Sequence, residues 1–393
     1  MQERLWSGNY ILNLINNLLL FMVFYAFMVY TTKFAMGTFG ASVSQAGLAA
    51  GMFIISAVLA RLFAGRYMDL LGRKRLMMAS MLVYAACTFC YYIVGSMNFL
   101  ILLRFIHGLS YGIISTVMAT AIISVIPAAR RGEGIGYFSL SLTMASAVGP
   151  FLGITLPQLN PLYLLILCDG ICVVAVVLTY FITVPEIKVG FRQRVEMKSL
   201  RLRTFLEPTA IPISIVALLG AVGYSAVMSY IGAYAEAIDL LLGGSLFYVS
   251  YSLACLVFRP LTGMVLDRYG NHVVMIPMLI CMMLGFVTIA AAHSNIVLLA
   301  GAALVGIGYG SIPSAGQTIA VQKVKLNRFS MATATLFMAL DIGNGVGPSI
   351  LGMIVPLYGF RAVYLCSAAV SLLAFIYYCA MALKSRKDAA LSK

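Results

Sequence analysis

Long apolar runs follow one another through the whole chain and are separated only by short polar gaps. A helix that crosses the hydrocarbon core of a bilayer needs about 20 mostly apolar residues. Twelve runs meet that length: 10–32, 43–64, 75–95, 98–125, 133–157, 161–183, 209–234, 244–265, 272–292, 296–322, 330–356 and 361–383. Because a backbone in lipid must satisfy its own hydrogen bonds, each run is predicted to be a helix. The predicted fold class is all-α and integral to the membrane, with twelve spanning helices.

The composition excludes a soluble globular fold. The chain is 62% hydrophobic and 10% charged, with a mean hydropathy of +1.00, whereas soluble domains carry about 25% charged residues. Its three histidines (His107, His272 and His293) are scattered, and no loop resembles a phosphate-binding motif or is long enough to form a soluble domain. We expect neither an enzyme nor an ATP-driven pump, and neither a cofactor nor a metal.

The net charge of +14 is distributed on one side of the predicted membrane. If the N-terminus is cytoplasmic, every Lys and Arg except Lys33, Arg104 and Arg361 falls in a cytoplasmic segment or at a cytoplasmic helix end. This is the positive-inside bias, so we expect a multi-pass protein of the cell (inner or plasma) membrane with both termini in the cytoplasm. The basic charge therefore indicates topology and a lipid environment, and no nucleic-acid partner is expected.

The second half of the chain repeats the first at a constant offset. Equivalent pairs include Arg61 and Arg259, Gly65 and Gly263, Asp69 and Asp267, Gly72 and Gly270, Gly108 and Gly306, Tyr111 and Tyr309, Arg130 and Arg328, and Gly149-Pro150 and Gly347-Pro348. Six spans per repeat is an even number, so the two repeats are predicted to be parallel. The predicted domains are an N-terminal six-helix bundle (1–184), a cytoplasmic linker (185–207) and a C-terminal six-helix bundle (208–393).

Several motifs resemble those of the major facilitator superfamily. Residues 65–75, with Gly65, Asp69, Gly72 and Arg73, resemble its loop signature between helices two and three. Arg104 with Gly108 resembles its helix-four motif, and residues 145–153, which include Gly149-Pro150, resemble the helix-five motif of drug/proton antiporters. The resemblance implies the multidrug or metallophore exporter branch, although helix one carries asparagines and no acidic residue.

This resemblance implies a function. We expect a secondary active transporter that moves a small organic solute by alternating access, with proton-coupled efflux, and that functions as a monomer. An importer, symporter or facilitator of the same fold is the main alternative, and a channel or a non-transporting solute sensor is another.

The loop motif is expected, by resemblance, to act as a gate. Asp69 would accept hydrogen bonds from Arg130 or Arg131 and lie near the N-terminus of helix eleven, with Asp267 as its second copy. The alternative is that these charges only set the topology. The equivalent Gly149-Pro150 and Gly347-Pro348 predict two matched kinks with a gating role, since proline removes a helical hydrogen bond; the alternative is that each proline is merely tolerated.

Polar and aromatic residues on helices one, four, seven, ten and eleven are candidates for solute binding, because by resemblance helices one, four, seven and ten line the central cavity. They are Asn13, Asn17, Arg104, His107, Tyr111, Tyr230, Tyr309 and Asn344. The alternative for any one aromatic is an interfacial or lipid-facing position.

Two acids are candidates for proton coupling. Asp341 lies about 16 Å along its helix, near the middle of a core of roughly 30 Å, and we expect it to load and release protons. Asp169 has the same predicted depth as Arg104. We expect Arg104 either to pair with Asp169 or to contact an anionic group of the solute. For Asp341, the alternatives are a structural protonated carboxyl and a pair with Arg104.

Overall fold

A computed structural model describes residues 5–187, 205–322 and 324–391 of the chain. Twelve helices in this part of the chain are long and apolar enough to cross a membrane. They are α1 (Gly8–Phe39), α2 (Val43–Leu71), α3 (Arg73–Phe89), α4 (Met97–Val125), α5 (Arg131–Leu159), α6 (Pro161–Phe181), α7 (Ile211–Ala237), α8 (Leu241–Tyr269), α9 (Asn271–Ala290), α10 (Asn295–Gln322), α11 (Phe329–Gly352) and α12 (Val355–Leu391). Each of the twelve predicted runs corresponds to one of these helices.

The turn between the second and third helix is built in the same way in each repeat. Gly72 joins α2 to α3 with a φ of 90°, and Gly270 joins α8 to α9 with a φ of 88°. Residues with a Cβ atom rarely adopt a positive φ of this size. Glycine at this position therefore lets one helix follow the next without an intervening loop. The two equivalent glycines of the sequence repeat are therefore explained by backbone conformation.

The chain divides into two compact units. Unit 1 comprises Met1–Ala128, Ser141–Glu207 and Lys325–Ala334. Unit 2 comprises Ala129–Leu140, Pro208–Val324 and Thr335–Lys393. Each unit thus includes a short segment from the other predicted repeat, namely the start of α11 in unit 1 and the start of α5 in unit 2. Within the predicted linker, residues 188–204 lie outside the described part of the chain.

Glycines on α4 and α10 bring each of these helices close to a neighbour in its own unit. A Cβ at Gly108 would clash with the carbonyl of Phe53 on α2, and one at Gly306 would clash with the carbonyl of Tyr251 on α8. Small residues at such positions let two helix backbones approach in lipid. Tyr111 and Tyr309 lie one turn after these two glycines, on helices that this packing holds in position.

Large apolar side chains cover much of the outer helix surfaces. Examples are Phe63 (64% exposed), Ile93 (70%) and Tyr180 (71%). Exposed apolar surface of this extent is unfavourable in water and normal where lipid is the solvent. The core of unit 1 lies among α1–α4 and α6, where Phe27 and Met81 are fully buried.

Candidate functional site: two aspartate clusters and the buried polar groups

The first aspartate cluster lies in unit 1, at the end of α2. Asp69 pairs with Arg73 at 2.6 Å (Oδ1 to Nε), and both side chains are buried. Ser330, at the start of α11, donates its hydroxyl to Asp69 Oδ2 at 3.0 Å. One turn earlier, a Cβ at Gly65 would clash with Ala334, so glycine is required for α2 to lie against the start of α11.

The second aspartate cluster lies in unit 2, at the end of α8. The carboxylate of Asp267 accepts the backbone N–H groups of Gly132 (2.8 Å) and Glu133 (2.9 Å). These N–H groups belong to the first turn of α5, where they lack intrahelical partners and where the helix dipole favours a negative charge. Gly263 packs directly on Gly132, so that a Cβ on either would clash with the other's backbone.

The two clusters are equivalent in the repeat. The offset that superposes Asp69 on Asp267 also superposes Gly132 on Ser330, and each aspartate binds the helix start that the other repeat contributes. The expected proximity of Asp69 to the start of helix eleven is confirmed. The sequence did not predict Ser330 or Gly132 as partners of the aspartates. Once one of the two contacts is known, however, the repeat offset identifies the other partner.

The predicted arginine partner of Asp69 is wrong. Asp69 is bound by Arg73, because the tight turn at Gly72 starts α3 within one helical turn of the carboxylate. Arg130 instead pairs with Glu133 at 2.7 Å, and Arg131 lies near Asp267. Arg130 and Arg131 therefore belong to the second cluster.

Both ends of the predicted linker contact other parts of unit 1, and the sequence did not indicate these contacts. Glu186 accepts the backbone N–H groups of Arg73 and Lys74 at 2.9 Å, so it caps the N-terminus of α3. At the other end, the Arg66 guanidinium lies 4.1 Å from the ring centre of Phe205. The next contact is an ion pair between Glu207 and Arg328, just before α11.

The two glycine–proline pairs occupy equivalent packing positions. Gly149 packs on Tyr25 of α1, and Gly347 packs on Ser225 of α7, each so closely that a Cβ would clash. Pro150 lies inside α5 and Pro348 lies inside α11. Tyr230 donates its hydroxyl to the Pro348 carbonyl at 2.6 Å, and this places it beside the second pair. A gating role for the prolines stays a prediction.

Arg104 and His107 are fully buried in unit 1. The Arg104 guanidinium lies 4.4 Å from the Phe53 ring centre and donates to the Ala49 carbonyl (3.3 Å) and the Met28 sulfur (3.3 Å). Asp169 adjoins Tyr92 and Cys168 instead. The ion pairs among the described residues do not join Arg104 to Asp169, so that pairing is wrong.

The other predicted residues of unit 1 are buried and engaged within it. Asn13 donates to the Asn9 carbonyl at 2.9 Å, and Asn17 donates to the Ser141 hydroxyl at 2.7 Å. Tyr111 stacks on Phe24 with 4.6 Å between ring centres. These amides contribute to helix packing in this arrangement.

In unit 2, Tyr309 and Asn344 are brought together. The Tyr309 hydroxyl lies 3.3 Å from both side-chain heteroatoms of Asn344. The Tyr309 ring stacks on Tyr224 with 4.1 Å between ring centres, and Tyr224 stacks on Tyr251. Asp341, one turn before Asn344, is half-buried. A partly accessible carboxyl therefore lies one helical turn from an amide that is hydrogen-bonded to Tyr309. Within the described ranges, no group of three or more His, Cys, Asp or Glu residues could hold a metal ion.

Twelve apolar helices, a sequence repeat and equivalent carboxylate contacts at helix starts define a polytopic membrane transporter. The family model described as Major Facilitator Superfamily matches residues 14–248 and 237–393. The chain belongs to the major facilitator superfamily, and it is a transporter and not an enzyme.

Curated relatives match most of the chain at low identity. An uncharacterised MFS-type transporter of Methanocaldococcus jannaschii is 21% identical over 85% of this chain and 88% of its own length. The staphylopine export protein of Staphylococcus aureus is 20% identical over 83% of this chain and 84% of its own. The multi-drug resistance efflux pump PmrA of Streptococcus pneumoniae is 24% identical over 81% of each chain.

Solved structures share the fold. The human organic anion transporter MFSD10 (TETRAN) superposes with a TM-score of 0.77 at 14% identity, over 95% of this chain and all of its own. The proton:xylose symporter XylE superposes with a TM-score of 0.73 at 15% identity, over 94% of each chain. The predicted fold class, twelve helices in the two-repeat arrangement of this superfamily, is confirmed.

Proposed function

We propose that the chain exports a small organic solute by alternating access, in exchange for protons. The observation that carries this proposal is the equivalence of the Asp69–Ser330 and Asp267–Gly132 contacts. In each, a carboxylate of one repeat holds the first turn of a helix from the other. A transporter that alternates between two states needs contacts that form in one state and break in the other.

The chemistry of these contacts suits reversible closure. Each consists of one or two hydrogen bonds to a carboxylate, and such bonds contribute roughly 1.5–3 kcal/mol each. That is enough to bias an equilibrium by tenfold or more and too little to lock it. Gly65 and Gly263 allow the close approach that these bonds require.

Export is supported by two observations. The relatives from Staphylococcus aureus and Streptococcus pneumoniae are named as an export protein and an efflux pump and match four fifths or more of the chain. The segment around Gly149-Pro150 resembles the antiporter motif. The second candidate is a proton-coupled importer, which the likeness to the symporter XylE favours.

For energy coupling we propose Asp341, with Asp169 as a second acid. Asp341 is half-buried and lies one helical turn before Asn344, which is hydrogen-bonded to Tyr309. Protonation of Asp341 would therefore change the electrostatic potential next to two residues proposed to bind the solute. We further propose a location in the cell membrane, both termini in the cytoplasm, function as a monomer, and the division into bundles 1–184 and 208–393 joined by a cytoplasmic linker.

Transport by inside-out membrane vesicles tests this proposal. A chemically diverse solute panel is offered with and without an imposed proton gradient, and counterflow of each hit is measured in proteoliposomes. We expect at least one organic solute to accumulate in inside-out vesicles only when their lumen is acidic, and to show trans-stimulated exchange. Accumulation in right-side-out vesicles alone would indicate import, and transport without trans-stimulation would contradict a carrier.

A further inference from the structure

A buried polar cluster in unit 1 has no counterpart in unit 2. It consists of Tyr84, Tyr91, Arg104 and His107, which are all almost completely buried. At the repeat offset, the equivalent residues of unit 2 are Met282, Ile289, Ala302 and Val305, and each of these is fully buried. The second repeat therefore packs the same positions with apolar side chains alone. Helix packing does not require the polar groups of the first.

His107 is the centre of this cluster. Its ring lies 4.3 Å from the ring centre of Tyr84 on α3, 5.4 Å from Phe53 on α2, and 6.0 Å from Tyr91 and from Phe27 on α1. Neither ring nitrogen has a hydrogen-bond partner among the described residues. A fully buried imidazole with both nitrogens unbound is costly, so its presence points to a role that an apolar packing residue cannot fill.

Among the described residues, Arg104 is the only cation that acts on the His107 ring, and it lies one turn earlier on α4. The other titratable groups that face His107 are Tyr84 and Tyr91, and Tyr84 is itself adjoined by Cys172 and Cys168 of α6 and by Tyr111 of α4. Two positive charges next to each other in a low-dielectric core repel strongly. Burial of the imidazole in the core and, in addition, the Arg104 charge beside it therefore keep His107 neutral.

The contacts of Arg104 are weak for a buried arginine. They include the face of Phe53, hydrogen bonds of 3.3 Å to the Ala49 carbonyl and the Met28 sulfur, and the nearby Tyr91 side chain, and no carboxylate of the described residues is among them. Its Nη1 atom has no hydrogen-bond partner among the described residues. A guanidinium held in this way can leave its position more readily than one in a bidentate carboxylate pair.

We propose that the core of unit 1 holds one positive charge at a time, carried either by Arg104 in its present position or by a proton on His107. When Arg104 withdraws, a proton from water binds one ring nitrogen and the imidazolium takes over the charge. When Arg104 returns, that proton leaves. The inference adds a proton-binding residue to the proposed exchange mechanism and rests on it for its purpose, whereas the exclusion of one cation by the other is a property of unit 1 alone.

Histidine-selective ¹⁵N NMR of the full chain in nanodiscs tests the exclusion directly. The chain has only three histidines, so His107→Gln identifies the His107 signal, and the sample pH is read from a free imidazole added to the buffer. In the wild type we expect the His107 signal to keep its neutral pattern between pH 8 and pH 5. In Arg104→Met, whose equivalent in the second repeat is alanine, we expect His107 to change to the charged pattern within this range.

Two comparisons make the result decisive. Arg104→Lys keeps the positive charge and should behave as the wild type, and Arg104→Gln, which retains a donor for the Ala49 carbonyl, replaces Arg104→Met if that variant does not fold. A His107 signal that stays neutral in the uncharged variants overturns the proposal, as does a wild-type His107 that changes to the charged pattern between pH 8 and pH 5. Because the measurement requires no solute, a failure to find transport would leave this test unaffected.

Discussion

Ser330 and Gly132 occupy equivalent positions in the two repeats, and each binds the aspartate of the opposite repeat. The Ser330 hydroxyl donates to Asp69 over 3.0 Å, whereas the Gly132 backbone N–H donates to Asp267 over 2.8 Å. The geometry is shared, but the chemistry differs: one contact uses a side chain and the other uses the helix backbone. The two contacts can therefore be removed separately.

Ser330→Ala should loosen the start of α11 without affecting α5. The substitution removes the hydroxyl donor and leaves the Asp69–Arg73 pair intact. A hydrogen bond to a charged group contributes about 1.5–3 kcal/mol, so we expect at least tenfold faster hydrogen–deuterium exchange in the first turn of α11. Exchange in the first turn of α5 is the internal control. Unchanged rates at both sites would show that the bond does not hold the helix.

Asp267→Asn should have the reciprocal effect. Asparagine keeps one oxygen acceptor but turns an amide group toward the second backbone donor, so either the Gly132 or the Glu133 N–H loses its partner. Loss of such a cap and its charge costs about 1–2 kcal/mol. We expect faster exchange in the first turn of α5 and wild-type exchange in α11. Equal acceleration at both helix starts would indicate general destabilisation instead.

Asp69→Asn should cost more stability than Ser330→Ala. It leaves the Arg73 guanidinium fully buried without its counter-charge, and the loss of one partner of a buried pair typically costs 3–5 kcal/mol. We expect a clearly lower melting temperature of the purified protein for Asp69→Asn and a small change for Ser330→Ala. If the two variants have the same melting temperature, another group must compensate the Arg73 charge.

An ion pair between Arg328 and a residue three positions later should be able to replace the Glu207–Arg328 pair. Arg130, the equivalent of Arg328, pairs with Glu133 three residues later, but the residue equivalent to Glu133 is Met331, and Arg328 binds Glu207 of the linker instead. Glu207→Gln should weaken the start of α11 by up to about 1 kcal/mol, since Arg328 is 36% exposed.

Adding Met331→Glu to Glu207→Gln provides the rescue. It supplies the three-residue spacing of the second cluster, so exchange at the start of α11 should return toward the wild-type rate. Met331→Gln in the same background is the matched control, because it adds a polar group without charge. Equal rates with Glu and Gln at position 331 would refute the electrostatic explanation.

The sequence predicted the helices and the repeat because both depend on local properties. A run of about 20 apolar residues specifies a spanning helix, and Gly72 and Gly270 are dictated by positive φ angles. The partner of Asp69 depended on the tight turn at Gly72, and the partners of Arg104 depended on helix rotation, which depth along a helix does not specify. The sequence predicts the same depth for Arg104 and Asp169, but Arg104 contacts Phe53 while Asp169 adjoins Tyr92.

Asp341→Asn tests the proposed coupling. Asparagine is similar in size and can still form hydrogen bonds, but it cannot bind and release a proton at the half-buried position beside Asn344 and Tyr309. The variant should therefore exchange solute at equilibrium at a rate within a few-fold of wild type, yet fail to accumulate it when a proton gradient is imposed. Both quantities can be measured in inside-out vesicles with a solute identified in the panel.

Tyr309→Phe is the matched control for Asp341→Asn. It removes the hydroxyl that lies 3.3 Å from the Asn344 amide and leaves the carboxyl of Asp341 in place. We expect Tyr309→Phe to alter the affinity for solute but to retain accumulation driven by the proton gradient, because the titratable group is still present. Wild-type accumulation by Asp341→Asn would exclude Asp341 as the coupling acid, and Asp169→Asn would then be the variant to compare, since the buried Asp169 is the other acid proposed for coupling.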